Sequence, residues 1–461
     1  MNILVLSCGT GGGHNAAARA VEAEARQRGH NVTMMNPIDL CGEKAAQLVD
    51  NAYISIAQRS PRSFGFVYAL GNAYRRLPWR SPVYFANGKG AEALEGYLQE
   101  HPADVVITTH VYPGEMLTYL KNHGAAVPKT IFVATDYTCI PFTEECRLDA
   151  YVIPAPALTA EFVGWGIPEE KIYPFGIPVG RVFREAVPKA EAKRQLALAE
   201  GKRYVLVSGG SIGAGSLEKT MELLTDLTRG TDFHVIAICG SNASVRRQLE
   251  KRFGAEATLL GNTDKMALYL RACDLYLTKP GGLSTTEAAV AEVPLGLLPP
   301  IPGCESRNIE FMTGNAYALE SDTASGMAHL VETCLSGAVD PMEMVRRRED
   351  DFPFEAAKTI YDTVCDEYRR FDASRSDNKA KPEEKPSRLM PSEEKSMMLI
   401  INPVAGKGEM MRSLAEVTGT FMDAGYRVSF YPTRGRGDAA EYVKAYGKDF
   451  DMICCSGGDG T

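Results

Sequence analysis

The sequence predicts an α/β protein: two doubly wound parallel sheets facing each other across a cleft, then a linker and part of a third, smaller α/β domain. Three observations carry this. Short apolar runs alternate with helical stretches in two successive series, the pattern of parallel sheets covered on both faces. Glycine-rich turns follow several of these runs directly, which is where such sheets present ligands. A chain of 461 residues, 45% of them hydrophobic, is long enough for about three folded domains.

Taken in order, Ile3 to Leu6 reads as a buried strand and Asn15 to Glu24 as an alanine-rich helix, so Gly9 to Gly13 of "SCGTGGGHNAAARA" is a strand-to-helix turn. No Lys-Ser or Lys-Thr follows these glycines, which argues against a Walker loop. Further strands are expected at Val32–Met35, Val105–Thr108, Thr130–Ala134 and Tyr151–Ile153. After "GIPVGRVFREAVPKAEAK" a second series opens with "RYVLVSGGSIGAG" and the helix Leu217–Thr228. It runs through "FHVIAICG", "ATLLG" and "DLYLTKPGG" to "PLGLLPP". This gives a first half at 1–178 and a second at 179–371, the latter closed by a helical stretch from Asp340 to Phe371. Residues 372–395 hold six bases, six acids, three prolines and no aromatic, too little apolar surface to fold, and read as a disordered linker. From "MMLIINPVAGKGE" the strand–loop–helix theme restarts and stops at "SGGDGT", so 396–461 reads as a truncated third domain.

The net charge of −8 is unevenly placed: residues 51 to 91 contain no acid, six bases and eight aromatics, so this segment is +6 and the remainder −14. A basic, aromatic-rich stretch on an acidic protein fits docking on an anionic membrane, through Arg75, Arg76, Trp79 and Arg80, at about 1 kcal/mol per well-placed base. The alternative is a helical excursion whose aromatics are core. A nucleic-acid partner would require a basic domain as a whole, and none is expected. Eleven scattered cysteines without a CxxC pair suit a reducing cytoplasm. The first strand starts at residue 2, leaving no room for a signal peptide, and no apolar run approaches the ~20 residues of a membrane span, so lipid would be met at a surface.

Two loops of the second half carry ligand chemistry. In "SGGSIGAGS", Gly209, Gly210 and Gly213 let the backbone approach a diphosphate at a helix N-terminus. In "TKPGGLSTTEAAVAEVP", Ser284 and Glu287 have the spacing of a capping box, which would explain both without a ligand. Alternatively Glu287 stands beside the diphosphate loop and takes both hydroxyls of a ribose. Glu305 and Asn308 follow in the loop "PPIPGCESRN", in reach of sugar hydroxyls.

With these motifs in order, together with "ATDY", "FGIPV" and "CGSN", residues 1 to 370 resemble the monogalactosyldiacylglycerol synthase and processive diacylglycerol glucosyltransferase family. These are inverting GT-B glycosyltransferases related to the N-acetylglucosaminyltransferase of peptidoglycan synthesis. The resemblance implies transfer of a hexose from a UDP-sugar to the hydroxyl of diacylglycerol, giving a β-glycosyldiacylglycerol, by a peripheral enzyme on the cytoplasmic face of the membrane. It implies that the first half takes the lipid and the second the UDP-hexose. His14 becomes the candidate general base, with Asp136 orienting it or serving as the base itself, and His110 a rival. Gly12 and Gly13 give the acceptor room. Gly209, Gly210 and Gly213 border the diphosphate, Glu287 holds the ribose, and Glu305 and Asn308 face the hexose. Where plant-type galactolipid synthases have "TKAGPGT" and "PGQE", this chain has "TKPGGLS" and "PGCE", so that Cys304 replaces an amide and the hexose stays open.

An imidazole titrating near neutrality suits a weak alcohol nucleophile, and glycine-loop N–H groups suit a departing diphosphate. No Asp-x-Asp occurs in residues 1 to 370, so neither a metal nor another cofactor is expected for the transfer. A plain alternative is that His14 only caps the first helix. The tail, "INPVAGKGE" with "SGGDGT", resembles the start of diacylglycerol kinase catalytic domains. By that resemblance Asn402, Gly406, Gly408, Gly457, Gly458, Asp459, Gly460 and Thr461 approach nucleotide phosphates, ATP and Mg being needed only by a complete kinase domain. As it stands this segment is expected to be inactive. Two other functions remain: a lipid kinase carrying a nucleotide-sugar sensor, and a UDP-sugar epimerase, which would not need the basic aromatic stretch.

Overall fold

The computed structural model describes residues 1–9, 12–42, 61–76, 80–209, 217–320, 331, 395–401, 426–433, 439–440, 443–444 and 450–456. The chain divides into two compact units, Met1–Asp377 and Asn378–Thr461.

The first half of unit one is a six-stranded parallel sheet of β1 (Asn2–Leu6), β2 (Asn31–Met35), β3 (Val105–Thr108), β4 (Lys129–Val133), β5 (Ala150–Val152) and β6 (Ile172–Tyr173), in the order β2-β1-β3-β4-β5-β6. Its helices are α1 (Gly12–Gln27), α2 (Pro61–Tyr74), α3 (Pro82–Glu100), α4 (Val111–Asn122) and α5 (Thr159–Gly164). The apolar runs are unbroken because both faces are covered: Leu4 and Leu6 enter one core cluster, Ile3 and Val5 the other. The second half has α6 (Lys189–Gln195), β7 (Arg203–Ser208), α7 (Leu217–Thr228), β8 (Phe233–Ile238), α8 (Ala243–Phe253), β9 (Ala257–Leu260), α9 (Met266–Ala272) and β10 (Leu275–Thr278). It continues through α10 (Gly282–Val290), β11 (Leu295–Leu297), α11 (Cys304–Gly314) and β12 (Leu319–Glu320). Its sheet order is β12-β11-β10-β7-β8-β9, again parallel. That is a Rossmann order, reversing direction between β7 and β10. The first sheet reverses between β1 and β3, so each half has a switch point where ligands are expected.

The strands sit where the apolar runs predict them. The two-residue strands β6 and β12 escape prediction, being too short to show any periodicity. The first turn is shorter than expected: Gly12 and Gly13 already belong to α1, which puts His14 in the opening helical turn. The capping box of Ser284 and Glu287 does not form, because α10 begins at Gly282 with Gly281 as its N-cap, placing Ser284 inside the helix.

Unit two contains a three-stranded parallel sheet, β13 (Lys395–Ile401), β14 (Tyr426–Pro432) and β15 (Met452–Ser456), in the order β14-β13-β15. Met397 to Ile400 on the central strand are buried. Asn402, Gly406, Gly408 and Gly457 to Thr461 lie outside the described residues, as do Gly210, Gly213, Trp79, the 340–371 stretch and the 372–394 part of the linker.

Candidate active site

His14 stands at the carboxyl end of β1, beside the switch point of the first sheet. Its Nδ1 lies 2.8 Å from the carbonyl oxygen of Thr109, at the end of neighbouring β3, and 2.8 Å from Thr135 Oγ1, just beyond β4. A carbonyl can only accept, so Nδ1 carries the proton and the lone pair of the neutral ring is on Nε2. Thr109 is itself fixed, its hydroxyl reaching Ser7 Oγ and the His14 carbonyl, each at 3.1 Å. Burial lowers the His14 pKa below 6.5, with Asp136 and the Thr109 bond pulling the other way. The ring therefore does not cap α1.

His110 does cap a helix: its Nδ1 accepts from Tyr112 N at 3.2 Å at the start of α4. Burial and neighbouring His14 hold it well below its ordinary value, and its ring meets His14 edge-on at 4.7 Å. Asp136 follows Thr135 and is half-buried. The group that orients the His14 ring is the Thr109–Thr135 pair, which the expectation had assigned to Asp136.

The second half meets this site along a close seam. Gly13 lies against Leu283 of α10, where an added Cβ would sit at 3.7 Å. Gly282 is closer still: a Cβ there would lie 2.0 Å from the Thr135 carbonyl oxygen, so only glycine allows this approach. Ser208 at the end of β7 pairs with Thr278 at the end of β10, which sets Gly209 and the Lys279–Gly282 loop side by side at the second switch point. Glu287 is half-buried on α10, and burial pushes its carboxyl up to about 8.

Glu305 and Asn308, expected to face a hexose, are both buried and spend their polar atoms on protein partners. Glu305 pairs with Lys279 Nζ through one oxygen and accepts from Ile301 N at 2.9 Å through the other. Burial would lower the Lys279 ammonium, but Glu305, Cys304 and Asp136 outweigh it and raise it. Asn308 donates to Asp136 Oδ1 at 2.8 Å and to Pro280 O at 2.9 Å, and accepts from Tyr137 N at 2.6 Å.

The basic segment divides between structure and surface. Arg75 is not a membrane contact: its side chain is 2% exposed, forks onto Glu144 at 2.9 and 2.6 Å, donates to Cys139 O at 2.8 Å and stacks on Trp165. Arg80 is half-buried, donating to Glu145 O at 2.7 Å and lying over Tyr84. Arg76 is exposed, as are Leu70 and Phe85. Sequence reasoning missed that α2 also closes the site. A Cβ on Gly65 would meet Pro302 at 2.6 Å, and Tyr68 has its phenol raised well above 10 by burial and then by Cys304 and Asp136. The patterned aromatics of residues 51–91 gave no sign of which one turns inward.

Fold and site together define a GT-B architecture: two Rossmann-like halves whose switch points meet across a seam. The chain is similar to MurG of Acinetobacter baumannii (TM-score 0.52, 15% identity, 79% of this chain and 99% of that one). It is also similar to the calicheamicin glycosyltransferase CalG4 (0.53, 15%, 80% and 98%). A UDP-N-acetylglucosamine 2-epimerase from Listeria monocytogenes described as putative shares the fold as well (0.53, 11%, 80% and 97%).

At the level of family, residues 14–179 match the monogalactosyldiacylglycerol (MGDG) synthase family, 204–333 the glycosyltransferase family 28 C-terminal domain, and 396–461 the diacylglycerol kinase catalytic domain. The chain is 26% identical over 326 residues to the processive diacylglycerol beta-glucosyltransferase of Bacillus licheniformis, covering 69% of this chain and 82% of that protein. It is 25% identical over 378 residues to the enzyme of that name from Bacillus thuringiensis, covering 79% and 93%.

Proposed function

We propose that the chain is a glycolipid-synthesising glycosyltransferase that moves a hexose from a UDP-sugar to the hydroxyl of diacylglycerol with inversion, giving a β-glycosyldiacylglycerol. The observation that carries this is the coincidence of His14, held by the Thr109 carbonyl in the tautomer that leaves the lone pair on Nε2, with a chain similar along both halves to diacylglycerol glucosyltransferases.

The chemistry follows from the residues. An alcohol gains nucleophilicity as its proton leaves, and His14 Nε2 takes that proton while the oxygen attacks the anomeric carbon from the side opposite the leaving group. Because burial lowers the imidazole pKa, the ring is neutral and ready at pH 7. The glycine loop after β7 and the first turn of α7 receive the negative charge gathering on UDP, a role for backbone N–H groups and a helix N-terminus. Glu287 holds the ribose, ionising as its hydroxyls replace lost hydration. Exposed Arg76, Leu70 and Phe85 meet an anionic membrane on its cytoplasmic side.

The fold alone does not separate a transferase from an epimerase, since both occur among its likenesses. The relatives named for diacylglycerol transfer favour the transferase. The test is to incubate the purified chain with vesicles containing diacylglycerol and, separately, UDP-glucose, UDP-galactose or UDP-N-acetylglucosamine. A glycosyldiacylglycerol from one donor supports the reading. Epimerised UDP-sugar without lipid product supports the epimerase.

A further inference from the structure

One three-residue segment, Thr135-Asp136-Tyr137, touches nearly every part of the candidate site. Thr135 Oγ1 lies 2.8 Å from His14 Nδ1, Asp136 presents the carboxylate, and Tyr137 reaches into the second half. There its hydroxyl bonds Thr286 Oγ1 at 2.6 Å, and its ring stacks on Phe311 at 4.8 Å and 15°. The segment belongs to the first half. What holds its centre is Asn308 of the second.

Asn308 is completely buried. Its Oδ1 accepts from Tyr137 N at 2.6 Å, while its two N–H bonds go to Asp136 Oδ1 at 2.8 Å and Pro280 O at 2.9 Å. A primary amide has two N–H donors, and here both are taken, leaving none for a sugar hydroxyl. Pro280 lies on the loop beside Gly209, and Glu305, one helical turn earlier on α11, anchors Lys279 of that loop. The amide therefore ties together the donor-side loop, the second-half helix and the first-half carboxylate.

We infer that Asn308 is a positioning residue: closure of the second half onto the first lets its amide fix Asp136 and, through Thr135, the His14 ring, so the reacting constellation is complete only when the halves meet. This rests on the transferase reading and departs from the expectation that Asn308 binds the hexose. A positioning amide, when lost, lowers kcat and leaves the donor KM nearly unchanged. A hexose ligand, when lost, raises the donor KM or changes which hexose is preferred.

The experiment uses the full chain and two variants, Asn308→Ala and Asn308→Asp. The isosteric aspartate keeps an acceptor for Tyr137 N without opening a cavity, but sets a second carboxyl against Asp136, and unchanged exchange in β1 and β3 shows that each variant has folded. Two readouts are taken. Hydrogen exchange of the peptide spanning Thr135 to Cys139 reports the seam whether or not sugar is transferred. Exchange about tenfold faster in Asn308→Ala, with β1 and β3 unchanged, is expected; unchanged exchange overturns the inference. In the transfer assay, kcat about tenfold or more lower for both variants with donor KM within about threefold is expected. A rise in donor KM or a switch of hexose as the main effect overturns it. If the wild-type chain glycosylates no diacylglycerol, the transferase reading fails on that arm, while the exchange result still decides whether Asn308 holds the segment.

Discussion

The His14 side chain owes its chemistry to an atom that carries no side-chain signature, the backbone carbonyl of Thr109. That carbonyl selects the tautomer and the Thr135 hydroxyl adds a second contact at Nδ1, so removing the imidazole and loosening it should differ in degree. His14→Ala is expected to lose about a hundredfold or more in kcat while UDP affinity, measured by calorimetry, holds within about threefold. Thr135→Val, which removes only the hydroxyl partner, should lose about three- to tenfold. Because burial lowers the His14 pKa from 6.5, the acid limb of the pH–rate profile should fall below pH 6.5; a limb above it would give the base role to another group. Two carboxyls, buried Glu115 and half-buried Glu287, set a separate pH dependence. Burial pushes Glu115 and Glu287 up to about 8 from 4.5, so both stay protonated in the folded chain where the unfolded chain ionises. Their contribution is full below pH 4.5 and fades as pH rises to about 8. Stability measured by denaturant should decline across that window, and less so in Glu115→Gln. Residue types at the site were legible in "GTGGGH" and "ATDY". The partner of Asn308 was not, because Asp136 lies 172 positions away and only folding brings the two together.

At the scale of elements, α2 and the loops around it correct the simplest reading of a basic, aromatic stretch. Charge and composition show that residues 51–91 are unusual, but not which bases point outward. Arg75 is consumed by Glu144, Cys139 O and Trp165, whereas Arg76 is exposed. Arg75→Ala would strand the Glu144 carboxylate and should cost about 3–5 kcal/mol in a denaturant titration. Arg76→Glu should leave that midpoint unchanged and weaken co-sedimentation with anionic vesicles. If the two variants behave alike, the division between structural and surface bases is wrong. The start of α10 offers a second check. Gly282→Ala forces a methyl against the Thr135 carbonyl, 2.0 Å away, and should destabilise the seam by about 1–3 kcal/mol. A glycine before a helix reads in sequence as a turn or an anion site; that it marks close approach of two halves could be seen only once both sheets were in place.

For the molecule as a whole, two parallel sheets were legible because strands buried on both faces read as unbroken apolar runs between helices. The order of those strands was not, and it explains the site. Each sheet reverses direction once, between β1 and β3 and between β7 and β10, and His14 and the Gly209 and Lys279 loops stand at those two reversals. Within the first unit a candidate base and the Lys279–Gly282 loop thus come to one seam, with Asn308 joining the sides. The measurement that bears most directly on this is product analysis by mass spectrometry and NMR after incubating the purified chain with diacylglycerol vesicles and each UDP-hexose. The expected product is a β-linked hexosyldiacylglycerol from at least one donor, formed about a hundredfold or more slowly with His14→Ala. Sugar chemistry on the nucleotide with no lipid product, or an α-linked product that survives His14→Ala, would contradict it.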